Sequence, residues 1–378
     1  MNPISASLIS LQKRWLVLLS GYLLLLALGF LWLQEAWTPV YARRWAALTA
    51  IIAAVQLARL WQALPQNHRA DSAELLPTLG WGNGLSLGRG MLLAGLGGFL
   101  FAPWPPGWLA WLPGSLYLVA ALSDFLDGYL ARITNHVTRL GEALDIDNDA
   151  WGILIATALA FQYGQVPLWY VPVGLARYIF LAGLRLRQIR GLPIYELPFS
   201  VRRRAFAGVQ MGFLVAILFP VFEPPGTTIA AGLFMLPFLV GFGYDWLLVS
   251  GRISARQNYG DTLRLLANLW TPLLLRIIAM TGLTALIVAR PEFLATGGLV
   301  LAMIALGLAG RLAGILALLL VGFHLQLTPL SPWHLALLLS GTGLLFLGSG
   351  PLSLWTPEDW LIYHRAGERV SDESSRPL

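Results

Sequence analysis

Six of the 19 acidic residues of the chain fall between Asp124 and Asp149, at the junction of two long apolar runs. The stretch carries Asp124, Asp127, Gly128, Ala131 and Arg132, and then Gly141, Asp145 and Asp149. At about 100° per residue, Asp124, Asp127, Gly128 and Ala131 lie on one helical face, at i, i+3, i+4 and i+7. Gly141, Asp145 and Asp149 lie on one face of the next helix, at i, i+4 and i+8. Two antiparallel helices joined by a short loop therefore aim four carboxylates into one space, with three small residues beside them. Such a group repels itself unless protons or cations intervene. An all-oxygen donor set suits Mg2+, Mn2+ or Ca2+, and Mg2+ commonly combines a few carboxylates with substrate phosphate oxygens. Gly128, Ala131 and Gly141 leave a slot where a flat group can approach the backbone. A nucleotide diphosphate offers both parts, a planar base and metal-binding phosphates. Asp147, about 200° round the helix from Asp145, is expected to face away from the group.

The elements that must position these residues are membrane helices. Charged residues make up 12% of the chain, against about 25% in a typical soluble protein. The hydrophobic fraction is 57%, too high for a polar surface to cover, which excludes a soluble enzyme. With no cysteine and a single lysine, Lys13, thiolate nucleophiles, cysteine-ligated metals, P-loop lysines and Schiff-base lysines are excluded. The net charge of +6 does not point to nucleic acid, because the arginines sit in short clusters between apolar runs rather than along one polar face.

A spanning helix needs about 20 mostly apolar residues, and about twelve such runs are expected. Two, near 15–33 and 45–64, precede the polar stretch Gln66 to Glu74. Six follow, near 89–105, 108–130, 143–162, 166–186, 205–221 and 227–249. The last four lie near 265–289, 294–309, 311–326 and 333–349. The expected fold class is thus an all-α polytopic integral membrane protein. Its organisation is two N-terminal helices in 1–74, a six-helix core in 75–252, a four-helix domain in 253–363 and a polar tail in 364–378. Arginine-rich connections carrying Arg132 and Arg139, Arg185 to Arg204, and Arg252 to Arg264 alternate with loops that hold no Lys or Arg. That alternation predicts a cytoplasmic acidic cluster and both termini in the cytoplasm. Arg43 and Arg44 fall on the other side and break the pattern.

The spacing Asp-x2-Asp-Gly-x2-Ala-Arg-x8-Gly-x3-Asp-x3-Asp resembles the signature of the CDP-alcohol phosphotransferases, membrane enzymes that build phospholipid head groups, at every fixed position from Asp124 to Asp149. The resemblance covers about 75–252. It implies that Asp124, Asp127 and Asp145 hold two metal ions, Mg2+ or Mn2+, over a diphosphate. Asp149, implied as a further metal ligand, would also be the general base for an acceptor hydroxyl. Gly128, Ala131 and Gly141 would line the cytidine slot, with Arg132 holding the loop or a phosphate. Asn83, Ser86 and Arg89 sit where the family carries its Asn, Thr/Ser and Arg. Asn83 and Ser86 then belong with the CDP site. Arg89, Arg185, Arg204 and Gln210 are candidates for a phosphate of the acceptor or the lipid. Phe206 and Ala207 stand at two places where the family has lysines and a threonine, a departure that bears on the acceptor pocket and not on the metals.

The activity implied is transfer of a phosphatidyl group from CDP-diacylglycerol to a small alcohol acceptor, with release of CMP, at the inner membrane of the cell. Serine, glycerol phosphate and inositol phosphate all remain open as acceptors. Two alternatives stand beside it: a soluble CDP-alcohol with a lipid acceptor such as diacylglycerol, and a transporter or scaffold that binds cations without chemistry. A homodimer is implied by the resemblance alone. The last four runs resemble DoxX-like four-helix membrane domains. Arg276 and Arg311, inside apolar runs, mark either a cavity or pairing with a neighbouring helix, the latter being the expected reading.

Overall fold

The computed structural model describes residues 3–197, 200–253, 270–350 and 352–357. Among these the chain forms twelve α-helices and no strand. The polar tail 364–378 and the start of the run near 265 lie outside the described residues. Six helices are long and apolar enough to cross a bilayer among the described residues, as an all-α polytopic membrane protein requires. The residues divide into two compact units, one ending at Tyr163 and one beginning at Gly164.

The first unit contains α1 (Pro3–Ala36), α2 (Pro39–Ala63), α3 (Gly80–Gly97), α4 (Leu112–Ile133) and α5 (Arg139–Gln162). Thr38 caps α2, and Pro39 opens it, where a missing N–H costs nothing. α3 is the central helix: Asn83, Ser86, Leu87, Arg89, Leu93 and Ala94 are all buried. In a bilayer such packing depends on small residues that let backbones approach. A methyl at Gly82 would lie 2.8 Å from Ala131 Cβ and 2.9 Å from the Asp127 carbonyl oxygen. Only glycine therefore lets α3 meet α4 beside the acidic face. The first two helices hold α3 through polar tips: Tyr22 Oη donates to the Leu87 carbonyl at 2.6 Å, and Trp45 Nε1 to the Gly95 carbonyl at 2.8 Å.

α3 does not match the run expected at 89–105. It starts nine residues earlier and stops at Gly97. Past Gly97 the chain tightens, with the Phe99 and Leu100 N–H groups donating to the carbonyls of Leu96 and Gly97 three residues back, and it turns at Phe101, whose φ is 59°. The early start has a functional consequence, since it makes Asn83, Ser86 and Arg89 members of one helix.

The second unit contains α6 (Pro172–Ile189), α7 (Val201–Ile217), α8 (Gly226–Val249), α9 (Thr271–Ala289), α10 (Leu294–Leu306), α11 (Gly310–Leu327) and α12 (Pro332–Leu347). Its apolar core gathers Leu283, Leu286, Ile304, Ala317, Val321 and Leu337 from the last four helices. Two arginines in apolar helices find partners on the backbone. Arg276 donates to the carbonyls of Ile304 at 2.8 Å, Ala305 at 2.7 Å and Leu352 at 2.6 Å. Arg311 donates to those of Leu345 at 2.9 Å and Phe346 at 2.7 Å. Ile304, Ala305, Leu345 and Phe346 all lie in the last turn of their helices, where carbonyls lack a full set of intrahelical donors and the helix dipole favours a cation.

Candidate metal centre

The junction of α4 and α5 is built by local capping. Thr138 is the N-cap of α5, and its hydroxyl accepts from the Gly141 N–H at 3.0 Å. Asn83 Nδ2 donates to the same hydroxyl at 3.1 Å, tying the first turn of α5 to α3. Asn83 packs so closely here that a methyl at Gly141 would lie 2.5 Å from its Oδ1. The loop joining α4 to α5 is held from outside by Arg69, which donates to the Asn135 carbonyl at 3.1 Å, and by His136, whose Nε2 lies 3.1 Å from the Thr78 carbonyl.

On this frame Asp124, Asp127 and Asp145 converge, each offering a carboxylate oxygen within 4.8 Å of the others. Asp127 is buried, and Ser86 Oγ donates to its Oδ2 at 2.6 Å. Ser86 is positioned in turn by Asn148, whose Nδ2 donates to its carbonyl at 2.7 Å. Asp124, Asp145 and Asp149 are each between about a third and a half exposed, so the group opens on one side. Arg89 rises into it from α3 with its side chain only 2% exposed, and it ion-pairs with Asp124, Asp145 and Asp149. Its Nε finds no partner among the described residues.

The donor set fits a hard divalent cation. Oxygens bound to one Mg2+ or Ca2+ sit about 2.0–2.6 Å from the ion, so opposite ligands are roughly 4–5 Å apart, the separation these carboxylates offer. One guanidinium against four carboxylates leaves the group anionic, and a cation relieves the remaining repulsion. The chemistry of the oxygens excludes a soft-metal preference.

Each residue singled out in the sequence has a definite place. Gly128 and Ala131 are on the acidic side of α4, with Arg132 Nη1 3.1 Å from where a Gly128 Cβ would be. Asp147 turns away from the group and pairs with Arg59 of α2 at 3.0 Å. Arg185 on α6, Arg204 on α7 and Gln210 on α7 belong to the second unit, where buried Gln210 donates to the Tyr170 hydroxyl. Three contributors had not been singled out. Thr138 could have been found from its place three residues before Gly141, the N-cap spacing. Asn148 carries no signal of its own among the flanking aspartates. Tyr117, fully buried on α4 and seven residues before Asp124, shares its helical face; its hydroxyl finds no partner among the described residues.

Residues 81–243 match the family model described as CDP-alcohol phosphatidyltransferase, so the chain carries a domain of that family over this stretch. A CDP-diacylglycerol--glycerol-3-phosphate 3-phosphatidyltransferase of Cereibacter sphaeroides is 36% identical over 81 residues, 21% of this chain and 37% of that protein. One of the same name from Bacillus subtilis is 37% identical over 71 residues, 19% of this chain and 37% of that protein. A Mycobacterium bovis protein with cardiolipin synthase in its name is 32% identical over 105 residues, 28% of this chain and 50% of that protein. The chain thus spans between about a third and a half of the length of these curated relatives. No solved structure matches.

Proposed function

We propose, on the premise that residues 81–243 form a CDP-alcohol phosphatidyltransferase domain, that this chain transfers a phosphatidyl group from CDP-diacylglycerol to a small alcohol and releases CMP. The convergence of Asp124, Asp127 and Asp145 carries the reading. CDP-diacylglycerol is named in two of the relatives above, which favours a lipid donor over a soluble CDP-alcohol with a lipid acceptor. A transporter would more often show a repeated half with its own broken helices, and the acidic spacing occurs once in the sequence.

In this reading Asp124, Asp127 and Asp145 hold two Mg2+ ions, with Mn2+ as a substitute. When bound, the ions neutralise the diphosphate and stabilise charge on the departing CMP oxygen. The chain supplies the rest. Asp149, at the open edge, takes the proton of the acceptor hydroxyl as its oxygen bonds to the phosphorus that bears diacylglycerol and the bond from that phosphorus to the CMP oxygen breaks. Arg89 orients Asp149 against that task, and Ser86 fixes the carboxylate of Asp127. The cytidine lies along Gly128 and Ala131, with Arg132 on a phosphate. Arg185 and Arg204 serve the acceptor or lipid phosphate. Gln210, buried and hydrogen-bonded to the Tyr170 hydroxyl, is not a phosphate ligand in this reading. The site faces the cytoplasm at the inner membrane, where a lipid and a water-soluble alcohol can meet, and the chain works as a homodimer.

The test incubates purified protein with Mg2+, labelled CDP-diacylglycerol and a panel of alcohols, glycerol phosphate first. CMP and a new phospholipid appear together if the reading holds. Cation binding without CMP release under every acceptor would leave a cation-binding membrane protein and end the enzyme assignment.

A further inference from the structure

One apolar cavity of the second unit lies outside the acidic group, and the proposed function does not use it. It encloses about 330 Å3 between α7, α8, α11 and α12. Two of its walls, α11 and α12, lie beyond residues 81–243. Its lining is apolar, with Phe213, Phe234, Leu319 and Leu345 among the larger side chains, and Thr227 and Glu223 as the polar exceptions.

Four features define what fits. The cavity runs beside α11 from Ile315 to Leu325, ten residues or about 15 Å of helix, half of a hydrocarbon core about 30 Å thick. It is therefore about as deep as one leaflet. It is also open along α7, where Gly208 and Gly212 are exposed and a Cβ on either would meet nothing within 4 Å. Its walls include α8 and α11, both apolar enough to cross a membrane, so the medium at its side is hydrocarbon, and an apolar cavity does not hold water well. Finally, Thr227 is only 4% exposed and lines the cavity, yet its hydroxyl finds no partner among the described residues. A buried hydroxyl left unpaired is destabilising, and an ester carbonyl would satisfy it. Glu223, exposed at the same end, marks the side that meets the polar layer.

We propose that this groove holds one acyl chain of a glycerophospholipid drawn from the surrounding bilayer, with Thr227 Oγ1 donating to its ester carbonyl. The chain lies along the glycine face of α7 and packs on α8, α11 and α12. The bound lipid is a resident of the groove and is not turned over.

The full chain, purified in mild detergent, is examined by native mass spectrometry and by labelling with a phospholipid carrying a diazirine near the end of one acyl chain. About one phospholipid should remain on each wild-type chain, with labelled residues on α7 and α11. Gly212→Leu should cut labelling at least tenfold, and Thr227→Val several-fold. Gly208→Leu makes the same test if Gly212→Leu does not fold. Gly298→Leu, on α10 and away from the groove, should label as wild type does. Equal labelling of wild type, Gly212→Leu and Gly208→Leu would overturn the proposal. So would displacement by free fatty acid in preference to phospholipid, or crosslinks from the groove to a second copy of the chain. Retention of CDP-diacylglycerol alone, lost on adding Mg2+ and an acceptor, would also overturn it by making the groove a substrate subsite. Apart from that last control, none of these readouts depends on catalytic turnover.

Discussion

Among the described residues two arginines are buried in apolar helices, one in each unit, and they are satisfied in opposite ways. Arg276 is surrounded by main-chain carbonyls of Ile304, Ala305 and Leu352, which cannot move without unwinding the segments that carry them. Arg89 is surrounded by the carboxylates of Asp124, Asp145 and Asp149, which are partly open to solvent. Backbone carbonyls are neutral and fully used by one cation. Carboxylates are charged and outnumber Arg89, so they keep capacity for a second cation. The same residue type thus makes a structural staple in one place and a counter-charge for an exchangeable ligand in the other.

The comparison breaks most sharply at the level of turnover. Asp127→Ala should bring CMP release to the detection limit, and Asp149→Ala should lower it by about 10²–10⁴-fold, the usual worth of a general base. Both variants should keep wild-type helicity by circular dichroism, whereas Arg276→Met should retain activity in whatever fraction folds. Full turnover in Asp149→Ala would remove the proposed base.

The next effect is on stability. Arg276→Met strands several buried carbonyls at about 1–3 kcal/mol each before relaxation, so its thermal midpoint should fall clearly and Mg2+ should not restore it. Arg89→Met leaves four carboxylates facing one another, with a smaller loss because three of them reach solvent. There Mg2+ should raise the midpoint by more than it does in wild type. An equal Mg2+ response in the two variants would erase the distinction between them.

The smallest effect belongs to Asp147, whose pair with Arg59 is exposed on both sides. Asp147→Ala should cost under about 1 kcal/mol and leave CMP release near wild type. A loss as severe as that of Asp145→Ala would mean that the two residues share a function despite facing apart.

The acidic face was legible because helical periodicity alone aligns Asp124 with Asp127 and Asp145 with Asp149. The turning away of Asp147 follows from the same arithmetic. The partner of Arg89 was not legible. The sequence places it at the head of an apolar run, and its direction depends on a helix that begins at Gly80 in a glycine-rich stretch with weak helical preference. Nor could the end of α3 be read, since the apolar run continues past Gly98 and the turn comes at Phe101, an apolar residue with positive φ that no turn-favouring residue type marks. Arg276 was expected to pair with a neighbouring helix and does. Its acceptors are backbone carbonyls, which every residue carries and no sequence pattern marks.

The central claim is that Asp124, Asp127 and Asp145 are held together to bind a divalent cation. Mn2+ binding to the purified chain, followed by electron paramagnetic resonance, tests it without requiring a substrate. The account predicts saturable Mn2+ binding to wild type, competed by Mg2+, and its loss in a variant carrying Asp124→Asn, Asp127→Asn and Asp145→Asn. Mn2+ binding of undiminished affinity in that folded variant would contradict it.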